Sequence, residues 1–122
     1  MAGAVADRYG GKVPTDLEEL VTIPGVGRKT ANVVRSVAFG LPGLPVDTHV
    51  LRVSERLQLT EALPPPARKD PVKVELELNG FIPAVERGAF SLRMILHGRD
   101  TCSARKPRCN ACPLADYCPS VR

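Results

Sequence analysis

The chain has no tryptophan, and phenylalanine and tyrosine together supply only 4% of its 122 residues. A core must therefore be built from Leu, Val, Ile and Ala, which favours packed helices over a β-sandwich. No stretch approaches the roughly eighteen consecutive apolar residues that a membrane-spanning helix needs. The opening residues Met1-Ala2-Gly3-Ala4-Val5-Ala6-Asp7-Arg8 lack the basic start and apolar stretch of a secretory signal. Cysteine is scarce, at four residues, far below the density of a disulfide scaffold. These absences lead to the expectation of a cytoplasmic chain with reduced thiols, where clustered cysteines more often bind metal. Acidic residues are in slight deficit: 17 Lys and Arg against 13 Asp and Glu leave a net charge of +4. That excess suits a nucleic-acid binder, yet many other soluble proteins share it. The length predicts one domain, or two small lobes, with a modest core.

What is present reads as helices punctuated by Gly and Pro. Tyr9-Gly10-Gly11-Lys12-Val13-Pro14 is rich in turn formers. Thr15-Asp16-Leu17-Glu18 has the form of a capping box, with Thr15 at the N-cap and Glu18 three residues on. A short helix through Leu20 and Val21 should follow and stop before Pro24. The next helix is expected from about Arg28 to Phe39, with Ala31, Val34, Val37 and Ala38 at helical spacing. Gly40 to Pro45 is a loop and the expected lobe boundary. A third helix begins near Asp47 and continues through Leu51 and Leu57. Leu63-Pro64-Pro65-Pro66 reads as a stiff connector. Asp70-Pro71 is a good helix start, with a carboxylate cap and proline in the first turn. Asn79-Gly80 stops that helix, and a last one runs from about Glu86 to near Gly98. No strand emerges, so the fold class is all-α.

Two segments carry chemistry on their own. Cys102, Cys109, Cys112 and Cys118 form a C-x6-C-x2-C-x5-C pattern. Four thiolates delivered by one compact loop suit either a tetrahedral zinc or an iron–sulfur cluster, and spacing does not separate the two. Between the first two cysteines, Arg105, Lys106 and Arg108 sit on a segment that a metal would pin at both ends. Such a prong is suited to phosphate contact, although solvated surface is the usual fate of a charge run. The second segment is Pro24-Gly25-Val26-Gly27-Arg28. Its glycines allow a phosphate close to bare N–H groups, and the positive end of the following helix faces the same point. Gly25, Val26, Gly27 and Arg28 are accordingly candidate DNA-strand contacts. A bare Gly turn between two helices would look similar and bind nothing.

The full run Ile23-Pro24-Gly25-Val26-Gly27-Arg28-Lys29-Thr30-Ala31 closely resembles the helix–hairpin–helix of DNA repair glycosylases. The cysteine spacing is similar to the 4Fe–4S loop of the endonuclease III family. Val46-Asp47-Thr48-His49-Val50 and Ile95-Leu96-His97-Gly98-Arg99 also look like that family, and the likeness extends from Tyr9 to Ser120. Read without it, Lys29 is a solvent-exposed or phosphate-contacting lysine and Asp47 a helix N-cap. The resemblance implies that Lys29 is a nucleophile and Asp47 its catalytic partner. A nucleophilic amine must be uncharged when it attacks C1′ of a flipped nucleotide, and a carboxylate can take its proton and balance a cationic sugar. His49 and His97 are expected only to pack or hydrogen-bond.

The implied architecture is that of a helix–hairpin–helix glycosylase. Residues 1–41 would be the last part of an incomplete six-helix barrel, with the hairpin at about 16–39. Residues 42–122 would form the 4Fe–4S cluster lobe, with the cysteine loop at 102–118. The family has a longer N-terminal part, so this chain is expected to be truncated, with the apolar faces of helices 15–22 and 28–39 bare. Asn79-Gly80 interrupts a helix that the family continues, and the triple proline is a local elaboration. The implied function is base-excision repair: a bifunctional N-glycosylase that removes oxidised pyrimidines and cleaves the abasic site by β-elimination. Its partner would be double-stranded DNA with damaged bases or abasic sites. A monomer in a bacterial-type cytoplasm, associated with the nucleoid and not with membrane, is expected. The alternatives are a monofunctional glycosylase, from which Lys29 argues away, and a non-catalytic DNA-binding module, which needs no Lys29/Asp47 pair.

Overall fold

The computed structural model describes residues 2–121, which contain helices and turns and no strand. Six α-helices follow one another: α1 (Ala2–Tyr9), α2 (Leu17–Val21), α3 (Arg28–Val33), α4 (Thr48–Arg56), α5 (Pro71–Asn79) and α6 (Arg87–Asp100). The all-α expectation holds, and most boundaries follow from local chemistry. Asp47 caps α4 by accepting from the Val50 amide at 2.9 Å. Asp70 caps α5 by accepting from the amides of Val72 and Lys73, with Pro71 in the first turn. The end of α4 is a Schellman turn, in which Gln58 takes a φ of 58° while the amides of Gln58 and Leu59 donate to the carbonyls of Glu55 and Ser54.

Four sequence expectations need correction. The cap of α2 is Asp16, whose carboxylate accepts from the Glu18 amide at 2.8 Å; Thr15 instead offers its carbonyl to the Arg35 guanidinium. Residues 2–9, where the sequence led to no expected helix, form α1. The helix expected to run to Phe39 leaves α geometry at Val34 and continues as a π-helical turn over Val34–Ala38. The proline connector folds into a 3-10 turn at Pro65–Lys69.

The buried residues fall into two clusters. Leu20, Ile23, Val26 and Ala31 pack beneath Ala4, Val5 and Tyr9 of α1. Leu44, Val46, Val50, Val53, Val74, Leu78 and Met94 form the other, joined by Phe90, Ile95 and Cys102. Each fully buried Leu or Val of these sets stabilises the fold by about 1.5–3 kcal/mol. α4 and α6 meet at Gly98, where an added Cβ would come within 3.0 Å of His49 and Arg52. Val33, Val37 and Phe39 remain exposed, but the faces of helices 15–22 and 28–39 expected to be bare are covered elsewhere: Leu20 and Ala31 are buried, and Leu17 and Val34 pack against them.

Candidate active cleft and cysteine site

The hairpin between α2 and α3 is set by its sequence. Pro24 and Gly25 occupy the two central positions of a turn closed by the Val26 amide donating to the Ile23 carbonyl at 3.0 Å. Gly25 has a φ of 86°, the left-handed angle that a type II turn demands there. Gly27 then precedes α3 in extended geometry. The first amides of α3 have no intrahelical acceptor and face outward from this end.

Lys29 is the second residue of α3 and is exposed; Asp47 is partly buried at the start of α4. Both line one cleft of about 540 Å³. Val33, Val37, Val85, Leu92 and Ile95 supply apolar wall, and Arg99 adds a cation. An amine and a carboxylate thus share an apolar-walled opening, approached from different helices. The carboxylate is also oriented, because its Oδ1 is held by the Val50 amide.

None of the four cysteines is in a disulfide, and all line a second cavity together with Val53, Leu57, His97 and Leu114. Among the described residues, no three of His, Cys, Asp or Glu come close enough to hold a single metal ion. The four sulfurs line one cavity, and thiolate donors of this kind suit an iron–sulfur cluster as they do zinc. The sulfurs also have donors. Arg56 Nη1 lies 3.2 Å from Cys102 Sγ, His97 Nε2 lies 3.6 Å from Cys112 Sγ, and the Leu114 amide donates to Cys112 Sγ at 3.4 Å.

Sequence reasoning did not single out Arg52 or Arg56, and gave His97 no place beside a cysteine. Arg56 donates to the carbonyls of Ser103 and Ala104, while its own carbonyl accepts from Ser120 Oγ at 2.6 Å. Arg52 bonds the carbonyls of Gly98 and Cys102 and touches His49 Nδ1. The only sequence signal was the i, i+4 spacing of two arginines just after Asp47, which by itself reads as a solvated face.

The proposed phosphate contacts are differently placed. Arg105 and Lys106 are exposed on the cysteine segment. Arg108 is exposed too, and forms a loose ion pair with Asp100 at 3.1 Å. Arg28, however, turns to α5: its Nε and Nη2 donate to the two Glu75 oxygens at 2.8 and 2.7 Å. The hydrogen bonds to Glu75 raise the Arg28 pKa above its ordinary value. Its charge is paired with that buried carboxylate and is not held free at the hairpin.

The all-helical chain with its helix–hairpin–helix has the fold of the helix–hairpin–helix DNA glycosylases. Two family models match: "Helix-hairpin-helix motif" over residues 8–37 and "Iron-sulfur binding domain of endonuclease III" over residues 102–118. Endonuclease III of a Synechocystis strain is 49% identical over 97% of this chain and 52% of its own length. That of Bacillus subtilis is 49% identical over 93% and 50%, and that of Escherichia coli K12 45% identical over 92% and 50%. Among solved structures, a non-covalent endonuclease III–DNA complex aligns with a TM-score of 0.84 at 45% identity, covering 97% of this chain and 53% of the other. A thermostable thymine-DNA glycosylase aligns at 0.78 and 27% identity over 98% and 54%. The chain belongs to the endonuclease III family and spans about half the length of the relatives it matches. No helix among its described residues is long and apolar enough to cross a membrane.

Proposed function

We propose that the chain carries the catalytic pair and cluster lobe of a bifunctional DNA glycosylase that acts in base-excision repair. The observation that carries this reading is that Lys29 and Asp47 line the same cleft. Lys29 Nζ attacks C1′ of a nucleotide flipped into the cleft, the glycosidic bond breaks, and the base leaves with the bonding electrons. Asp47 takes the ammonium proton and balances positive charge on the sugar. The C1′–O4′ bond then breaks, O4′ taking a proton, to leave a Schiff base at C1′; this iminium acidifies C2′, and loss of that proton expels the 3′ phosphate. Endonuclease III has been captured as a trapped covalent intermediate with DNA, in a structure that aligns with this chain at a TM-score of 0.84 and 46% identity. Oxidised pyrimidines are the substrate class we assign by family likeness.

Cys102, Cys109, Cys112 and Cys118 would hold a 4Fe–4S cluster, which when bound supplies a rigid anchor for the loop. Arg105, Lys106 and Arg108 then meet DNA phosphates from that loop, and Gly25, Val26, Gly27 and the Arg28 amide meet them from the hairpin. Damaged or abasic double-stranded DNA is the partner, and the chain works as a monomer at the nucleoid of a bacterial-type cytoplasm. We divide it at about residue 41 into a barrel-type lobe, 1–41, and a cluster lobe, 42–122, a division that the two separate buried clusters favour.

The test is borohydride capture. Borohydride added with an abasic duplex should trap a covalent protein–DNA adduct, and Lys29→Ala should abolish it while leaving binding nearly intact. Adduct formation by Lys29→Ala at the normal rate would assign the chemistry to another amine. Binding without any adduct, in a protein whose Lys29 is intact, would favour a non-catalytic DNA-binding module. Base release without strand cleavage would favour a monofunctional glycosylase.

A further inference from the structure

We propose that Glu75 is the positioning residue for the Lys29 helix. This rests on the reading of Lys29 as nucleophile. Glu75 lies on α5 and is only 4% exposed. Its carboxylate accepts three hydrogen bonds, two from Arg28 and one from Asn32 Nδ2 at 3.0 Å. All three donors belong to α3, one helical turn apart, and Lys29 lies between them. Both carboxylate oxygens are satisfied by these bonds, as a buried charge requires.

α3 needs such a fixture. It has six α-helical residues before the π turn begins, too few for helical hydrogen bonds alone to define its orientation. Arg28, Asn32 and Glu75 line a polar cavity, whereas Lys29 lines the catalytic cleft on another side of the same helix. Pinning the first side aims the second. Arg35, further along, donates to the carbonyls of Pro42 and Thr15 and secures the far end. With Glu75 neutralised, the start of α3 loses its only ion pair among the described residues, and Lys29 loses its fixed bearing on Asp47. The hairpin backbone that would meet phosphate is left in place.

The experiment compares Glu75→Gln and Glu75→Asp with the parent chain. It measures the rate of borohydride capture at saturating abasic duplex, DNA affinity, and amide exchange of residues 28–34. Glu75→Gln should slow capture by about tenfold to a hundredfold, the cost of misplacing a reacting group by an ångström. Affinity should stay within about threefold, since the missing interaction acts on the reacting geometry and not on binding. Glu75→Asp keeps the charge on a shorter arm and should fall between, which preserves the test if the Gln variant does not fold. Capture at the parent rate in both variants, or affinity falling in step with capture, would overturn the proposal. If the parent chain forms no adduct, the catalytic reading fails, and the exchange data alone decide on Glu75. Faster exchange across residues 28–34 in the Gln variant supports positioning; unchanged exchange rejects it.

Discussion

Arg52 Nε donates to the carbonyl of Cys102 at 3.1 Å, tying the helix that Asp47 caps to the first cysteine of the loop. One turn further along, Arg56 reaches the Cys102 sulfur itself. The carboxylate of the cleft and the thiols of the loop are therefore mounted on one rod, α4, and disturbance of either end is felt along it.

The cysteine loop gives the most direct measurement. Protein purified without oxygen should be brown, with iron and sulfide in equal amounts. Arg56→Ala removes the donors to Cys102, Ser103 and Ala104 and should destabilise the fold by about 1–3 kcal/mol. That corresponds to a melting temperature lower by about 3–10 °C, with faster bleaching of the visible band in air. A colourless protein containing one zinc would reject the cluster.

Asp47 has two separable duties. Asp47→Asn can still accept from the Val50 amide, so the melting temperature should hold, while it cannot take a proton or balance a cation. Single-turnover base release should then fall by about a hundredfold or more. Asp47→Ala should lose the same activity and in addition about 1 kcal/mol of helix capping. Equal melting temperatures for the Asn and Ala variants would show that the cap is of no consequence.

The basic segment is tested by salt. Replacing Arg105, Lys106 and Arg108 with Ala should reduce the slope of log affinity against log salt by about 0.9 for each phosphate no longer neutralised. Arg108 will not be withheld by Asp100, because an exposed ion pair of this kind is worth little. An unchanged slope would mean that the segment faces away from DNA.

Gln58 offers a test of stability alone. A side chain in left-handed geometry is strained, and glycine is not. Gln58→Gly should raise the stability by about 0.5–1 kcal/mol, read as a higher melting temperature with unchanged helical content.

What the sequence disclosed was local. Asp47 and Asp70 announce their helices because a short carboxylate bonds amides two or three residues away, and four cysteines within one loop announce a shared centre. The misplacement of the α2 cap by one residue has the same origin, since Thr15 and Asp16 are adjacent and both competent caps. α1 is short and its apolar spacing is weak to read; Ala4, Val5 and Tyr9 find their partners only in the folded cluster of Leu20, Ile23, Val26 and Ala31. The pairing of Arg28 with Glu75 spans 47 positions, and nothing near Arg28 distinguishes an arginine reserved for phosphate from one reserved for a buried carboxylate. Arg52 and Arg56 were equally opaque, because most of their partners are backbone carbonyls, which every sequence contains.

The two buried clusters draw on stretches that do not interleave: one closes with Val34, the other opens with Leu44. During synthesis the first can therefore assemble before the second has left the ribosome, as N-terminal units generally do. Glu75 follows the hairpin it clasps by 47 positions, and Cys109, Cys112 and Cys118 follow every residue of both clusters. A chain ended before Cys109 would keep every residue of both buried clusters and lose three of the four thiols.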